Sequence, residues 1–190
     1  IGNEILSGRT QDTNTSTLSI WLNSLGIKVQ EVRVIPDLEN IIVDTVNELR
    51  KKYKYIFTTG GIGPTHDDIT ASSIAKAFNL KYGPHHEAMK ILEKYYKPGE
   101  FNEGRQKMAW MPINANLILN PTSGAPGFNV ENVFCLPGVP SILKSMLGGI
   151  DHMIIGGKPI ISHTINLRTV ESEIAKFLSN VQNKNKDVDI

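Results

Sequence analysis

The chain has 190 residues, 40% hydrophobic and 21% charged, which is the balance of one globular domain with a small addition rather than a disordered polymer. Its 20 basic residues stand against 19 acidic ones, so no long-range field draws in nucleic acid or an anionic membrane, and any phosphate binding has to come from local geometry. No apolar run approaches the roughly 18 residues that a membrane span needs, and a single cysteine, Cys135, excludes an internal disulfide and a cysteine-built metal site.

The sequence opens at Ile1 without an initiator methionine and closes on Asp187-Val-Asp-Ile190, so further terminal segments are expected. Asp12, Thr13 and Asn14 are good helix starters, and Leu18, Trp21, Leu22 and Leu25 follow at helical spacing up to the stop signal Gly26. A β-type segment is expected over residues 27–35. Pro36-Asp37 then opens a helix with Ile42, Val46, Leu49 and Tyr53 on one face. Residues 55–59 (YIFTT) read as a buried strand running into a glycine loop, GGIGPTHDD, with a helix marked by Ile74, Ala75 and Phe78 behind it. This alternation predicts a mainly parallel sheet covered by helices on both faces.

Further along, residues 85–96 and 102–110 are expected as helices, residues 117–119 and 133–136 as strands, and residues 141–147 as a helix. Cys135 falls in the second of those strands and is expected to be a small core residue in a reduced, cytoplasmic setting. Gly148-Gly149 and Gly156-Gly157 punctuate the chain before a strand at 160–167 and a helix carrying Ile174, Phe177, Leu178 and Val181. The expected division is a main domain of residues 1–157 and a small α+β extension of residues 158–190.

The chemistry concentrates at residues 60–68. Ligands of parallel α/β sheets sit at the carboxyl ends of strands, and Gly60, Gly61 and Gly63 let the backbone approach one closely. The loop is neither a Walker loop nor GxGxxG, and a plain strand-to-helix turn is the competing reading. Asp67 and Asp68 oppose a bare phosphate: two unit charges about 4 Å apart repel by about 4 kcal/mol at an effective dielectric of 20, against about 0.3–1 returned by a helix N-terminus. A divalent ion such as Mg²⁺ between them resolves the conflict. His66, inside the loop, is the candidate for touching the ligand or moving a proton. Asp12 and Asp37 each precede a helix, where capping competes with facing a shared crevice. The loop Asn120-Pro-Thr-Ser-Gly-Ala-Pro-Gly127 offers hydroxyls and amides to a second phosphate or a ring, and the adjacent pair His85-His86 does not suit a metal.

The run TTGGIGPTHDDIT, residues 58–70, resembles the signature of the molybdopterin-binding fold shared by MogA, MoaB, the gephyrin G domain and the amino-terminal domain of CinA. Further pieces match the CinA branch in order: Gly2-Asn-Glu-Ile-Leu-Ser-Gly8, Asp12-Thr-Asn14, Pro36-Asp37, Asn120-Pro with Ala125-Pro-Gly127, Leu136-Pro-Gly-Val-Pro140 and Glu171-Ser-Glu-Ile-Ala175. The resemblance implies a three-layer αβα sandwich, α/β in class with a mainly parallel mixed sheet, that assembles as a homo-oligomer. It implies that Gly60, Gly61, Gly63, Thr65, Asp67, Asp68 and Thr70 line a nucleotide or pterin site. Asp37 and Asp12 would approach from neighbouring corners, and Ser123, Gly124 and Pro126 from the opposite loop. With Asp67, Asp68 and His66 as the catalytic group and both aspartates on a divalent metal, the expected activity is hydrolysis of a nucleotide pyrophosphate such as ADP-ribose or FAD. Adenylation of molybdopterin in molybdenum cofactor synthesis, and a silent binding or oligomerisation module, are the alternatives.

Overall fold

Short apolar strands and amphipathic helices alternate along the computed structural model, which describes every residue except Ile160 and Asp189. Helices α1 (Asn3–Leu6), α2 (Asn14–Ser24) and α3 (Glu39–Lys52) precede strand β1 (Ile56–Thr59) and helix α4 (Thr70–Ala77). Then come β2 (Tyr82–Pro84), α5 (His86–Tyr95), α6 (Glu103–Lys107), β3 (Trp110–Pro112), β4 (Asn116–Ile118), β5 (Gly127–Val130), β6 (Val133–Leu136) and α7 (Pro140–Met146). Two 3₁₀ turns, Leu147–Gly149 and Asp151–Met153, follow α7, and α8 (Glu171–Lys184) is the last helix.

The main sheet runs β1-β6-β5-β4, and β2 pairs with β3 in a separate two-stranded sheet. It is mixed: β1 lies parallel to β6, while β6–β5 and β5–β4 are antiparallel. Strand β6 explains the three layers. Its four residues are all apolar and all buried, and successive side chains leave on opposite faces. Val133 and Cys135 enter one core with Ile42 and Val46 of α3 and Ile74 of α4, whereas Phe134 and Leu136 enter a second core with Leu18 of α2 and Leu143 of α7. The α/β sandwich implied by the resemblance is therefore built. Cys135 is fully buried, and burial pushes its thiol up to about 12.

Two expected strands take another form. Among the described residues neither residues 27–35 nor residues 161–167 join a sheet ladder; the latter expectation began on Ile160, outside the described residues. Two units emerge, Ile1–Ile160 and Ile161–Ile190. In the second, α8 keeps Ile174, Leu178 and Val181 half-buried while Phe177 is exposed. Among the described residues no helix is long and apolar enough to cross a membrane.

Candidate functional site

The glycine loop begins where the β1–β6 ladder ends, with Gly60 N donating to Leu136 O at 3.1 Å. Gly60 and Gly61 hold φ of 93° and 69°, the left-handed region that other residues enter at a cost. Neither has room for a side chain: a Cβ on Gly60 would lie 2.5 Å from Ile1 O, and one on Gly61 would lie 2.1 Å from Thr70 Oγ1. Thr70 N donates to Gly61 O at 2.8 Å, which ties the start of α4 to the end of β1. Thr70 itself is fully buried, and its hydroxyl has no hydrogen-bond partner among the described residues.

Between these anchors the two aspartates part company. Asp68 turns into the loop, where Oδ2 accepts the Thr65 amide at 2.8 Å and the Thr65 hydroxyl. It fills the space beside Gly63, where a Cβ would come within 2.7 Å of Oδ2. Asp68 is thus an internal brace, and α4 has no side-chain N-cap from either aspartate. Asp67, His66 and Thr65 are exposed. The Thr65 hydroxyl first, then the Asp67 amide and the charges of His66 and Lys107, hold the Asp67 carboxyl below the usual range. That hydroxyl has one proton and the geometry places it on Asp68, so Asp67 feels it as a neighbouring dipole. Lys107 of α6 reaches across to donate to Thr65 O.

Asp12 and Asp37 are both engaged with backbone. Asp12 accepts the Thr15 amide at 3.1 Å and the Thr15 hydroxyl, so it caps the first turn of α2. Partial burial opposes its ionisation, but the Thr15 bonds and the Asn14 amide outweigh burial and leave its carboxyl below the usual value. Asp37 accepts the Asn3 amide at 2.9 Å and so serves α1 rather than α3, the helix it precedes in sequence. Asn14 is the contact that residue-by-residue reading left out of the site. The residue is 7% exposed, its Nδ2 donates to Gly138 O at 2.7 Å, and its Oδ1 has no partner among the described residues. A Cβ on Gly138 would meet Gly60 Cα at 3.3 Å, so Asn14 holds the turn after β6 against the root of the glycine loop. Both residues lie in motifs visible in the sequence, but nothing local joins them. Lys107 gave no sequence signal.

The loop at residues 120–127 is held elsewhere. Asn120 Nδ2 donates to Ser123 Oγ at 2.7 Å and to Ala125 O at 2.9 Å, and Gly124, at φ 74°, lies under the Tyr95 ring, which a Cβ would meet at 2.6 Å. Thr122 bonds Ser145 of α7 at 2.8 Å. None of the hydrogen bonds of Ser123, Gly124 or the residues around Pro126 reaches residues 60–68 among the described residues. His85 is buried as the N-cap of α5, accepting the Ala88 amide at 3.4 Å with its other nitrogen 3.1 Å from Ala115 O.

For a metal, the donors are few. Among the described residues no group of three or more His, Cys, Asp or Glu side chains converges to hold an ion. With Asp68 Oδ2 occupied by Thr65, and Asp12 and Asp37 on backbone amides, the protein does not form a cage by itself. The set fits a hard cation only where a ligand brings further oxygens, as Mg²⁺ sites beside phosphates do.

A family model described as "Probable molybdopterin binding domain" matches residues 1–155. A protein of Archaeoglobus fulgidus is 35% identical over 190 residues, covering 100% of this chain and 81% of that protein. A CinA-like protein of Geotalea uraniireducens is 38% identical over 175 residues, covering 89% of this chain and 40% of its own length. The crystal structure of CinA from Thermoplasma acidophilum, a protein described as of unknown function, superposes with a TM-score of 0.74 at 31% identity, over 80% of this chain and 92% of that one. Matched over this span, with the glycine loop on the αβα sandwich, the chain belongs to the molybdopterin-binding domain family, in its CinA-like branch.

Proposed function

We propose that the glycine loop at residues 60–68 binds the phosphate end of a nucleotide or pterin, and that a bound pyrophosphate is hydrolysed there with a divalent ion. The observation that carries this reading is the inward turn of Asp68. With that carboxylate committed to Thr65, only Asp67 faces the solvent side of the loop, beside His66 and with Lys107 on the Thr65 carbonyl. The Thr65 amide and hydroxyl dipoles damp the charge of Asp68 without removing it, so a phosphate at this loop still calls for a cation. Asp67 then supplies the protein carboxylate for the cation, and ligand oxygens complete its shell. A divalent ion held so offsets phosphate charge and acidifies water. In this reading Asp68 is a positioning residue, and His66, exposed next to Asp67 in the loop, is the residue assigned to move a proton. The family description names molybdopterin, which makes a pterin phosphate the second ligand to try.

Release of AMP from ADP-ribose or FAD with Mg²⁺, Mn²⁺ or Co²⁺ tests the reaction. Asp67→Asn is expected to lower kcat by roughly a hundredfold, the scale of losing one group that acts on transition-state charge. Asp68→Asn is expected to raise KM through a loosened loop. Equal rates in wild type and Asp67→Asn would sink the assignment. Joint consumption of molybdopterin and ATP, without turnover of dinucleotides, favours adenylation; binding without turnover in both assays leaves a binding module. Sedimentation equilibrium tests the expected homo-oligomer, for which Trp110 and Leu80, exposed on and just before the β2–β3 sheet respectively, are the apolar surface to mutate.

A further inference from the structure

Two cations leave the last turn of α6, and the fold uses them differently. Arg105 is engaged close to its own helix. Its guanidinium lies 4.2 Å from the centroid of the Tyr96 ring, bonds Glu100 O and stands 3.5 Å from Glu100 Oε2. Lys107 leaves towards the glycine loop, where its ammonium donates to Thr65 O. Among the described residues no carboxylate pairs with that ammonium. A lysine head carries three N–H donors, and the bond to Thr65 uses one.

The base that presents Lys107 is fixed. Asn102 caps α6 by accepting the Arg105 amide at 3.0 Å, and Gln106 Nε2 donates to Phe101 O at 3.2 Å. Two residues beyond Lys107, Ala109 is fully buried in the core, and its carbonyl accepts the His85 amide at 2.8 Å. Lys107 itself is partly buried, so its stem is held while its head reaches the loop.

The Thr65 carbonyl does not depend on this donor. It also accepts the Asp68 amide from inside the loop, at 3.3 Å, and keeps that partner when Lys107 turns away. Asp68 in turn holds the Thr65 amide and hydroxyl, so the loop has its own brace. What a neutral carbonyl leaves unused is the charge of the ammonium. That charge acts on Asp67, whose carboxyl it helps to hold below the usual range. Beside a divalent ion, Asp67 and the two charges of a pyrophosphate diester leave negative charge over, and an ammonium with donors to spare offsets it.

We propose that Lys107 is a ligand-contacting residue of the glycine loop, whose ammonium leaves Thr65 O and bonds a phosphoryl oxygen of a bound pyrophosphate group. The proposal rests on the reading of residues 60–68 as a phosphate site. A lysine suits the role because its head is a point charge on a flexible stem, which follows a phosphate without the planar geometry that a guanidinium imposes.

Calorimetric binding of methylenediphosphonate, a pyrophosphate analogue that water does not cleave, tests this with Mg²⁺ on the wild-type chain, Lys107→Met and Lys107→Arg. Lys107→Met is expected to bind about tenfold more weakly, the scale of one charge-assisted hydrogen bond, and the difference is expected to shrink as salt is raised. Lys107→Arg is expected to keep most of the affinity. In the wild-type chain the bound analogue is expected to slow reductive methylation of Lys107 in proportion to the fraction bound, and to leave the exposed Lys97 unchanged. Equal binding by wild type and Lys107→Met overturns the proposal, as does a bound analogue that leaves Lys107 unprotected. A loss in Lys107→Met accompanied by faster exchange of the Thr65 or Asp68 amide in the free protein also overturns it, because Lys107 is then a brace of the loop. No binding by the wild-type chain overturns the reading of the loop itself.

Discussion

Gly61 and Thr70 face each other across a contact with no space for another atom, and both contribute to holding the loop at the end of β1. Replacing Gly61 by Ala adds a methyl at 2.1 Å from Thr70 Oγ1 and forces a side chain into φ 69°. A cost of about 1–3 kcal/mol is expected from the backbone conformation with the clash, read from urea unfolding. Thr70→Val carries the opposite sign. The Thr70 hydroxyl is buried without a partner, so its replacement by a methyl of similar shape is expected to be neutral or stabilising by up to about 1 kcal/mol. A melting temperature that falls clearly in Thr70→Val would show that the hydroxyl has a partner after all. Asp68→Asn keeps the size of the brace and weakens the bonds from Thr65, which exchange of the Thr65 amide reports.

Helix α2 contributes to the pH dependence of this region through the carboxylate at its start. The folded pKa of Asp12 is depressed, so its contribution is fully present above the unfolded value of 3.8 and is lost as pH falls through the folded value. Asp12→Asn is therefore expected to flatten the acid limb of stability below pH 3.8 and leave the neutral region with only the loss of a weaker cap. An unchanged acid midpoint would contradict the cap. One residue pair further on, Asn14→Ala removes the donor to Gly138 O and leaves that carbonyl short of a partner. Gly138 is exposed, so water can take the place of Asn14 and a destabilisation of about 0.5–1.5 kcal/mol is expected, with greater mobility of the turn at residues 137–140 in hydrogen exchange. The lone unpartnered Oδ1 of Asn14 limits this cost, since its burial is already unfavourable.

Across the whole unit of residues 1–160, β6 belongs to both cores and makes them one cooperative structure. Leu136→Ala opens the α2/α7 side and is expected to cost about 2–5 kcal/mol, while Val133→Ala opens the α3/α4 side. Thermal unfolding of either variant should remain a single transition for this unit, because the strand that each weakens carries both layers. Cys135 supplies an internal reporter. Its thiol is fully buried and titrates near 12, so alkylation at pH 8 is expected to proceed only through opening, and faster in Leu136→Ala than in wild type. Two separate transitions, or labelling at the rate of a free thiol, would refute the shared-strand picture.

Much of this was legible along the chain because it is local. The start of α2, the cap at Asp12, the buried run of β6 and the glycine loop with its positive-φ demands are all set within a few residues, where propensity and backbone sterics act directly. Tertiary structure alone decided which partner each polar group takes. Asp37 finds Asn3 at 34 positions' separation, Lys107 finds Thr65 at 42, and Asn14 finds Gly138 at 124. It also decided that Asp68 faces inward while its neighbour Asp67 faces out, although the two are the same residue type. Strands depend on it most. Residues 27–35 have the β-branched composition of a strand, yet a strand exists only by pairing, and they join no sheet ladder among the described residues. The sequence by itself determined the α/β class, the loop and its family signature; only the folded chain decided which of the loop's carboxylates faces solvent, because that depends on hydrogen bonds and contacts made when distant segments meet.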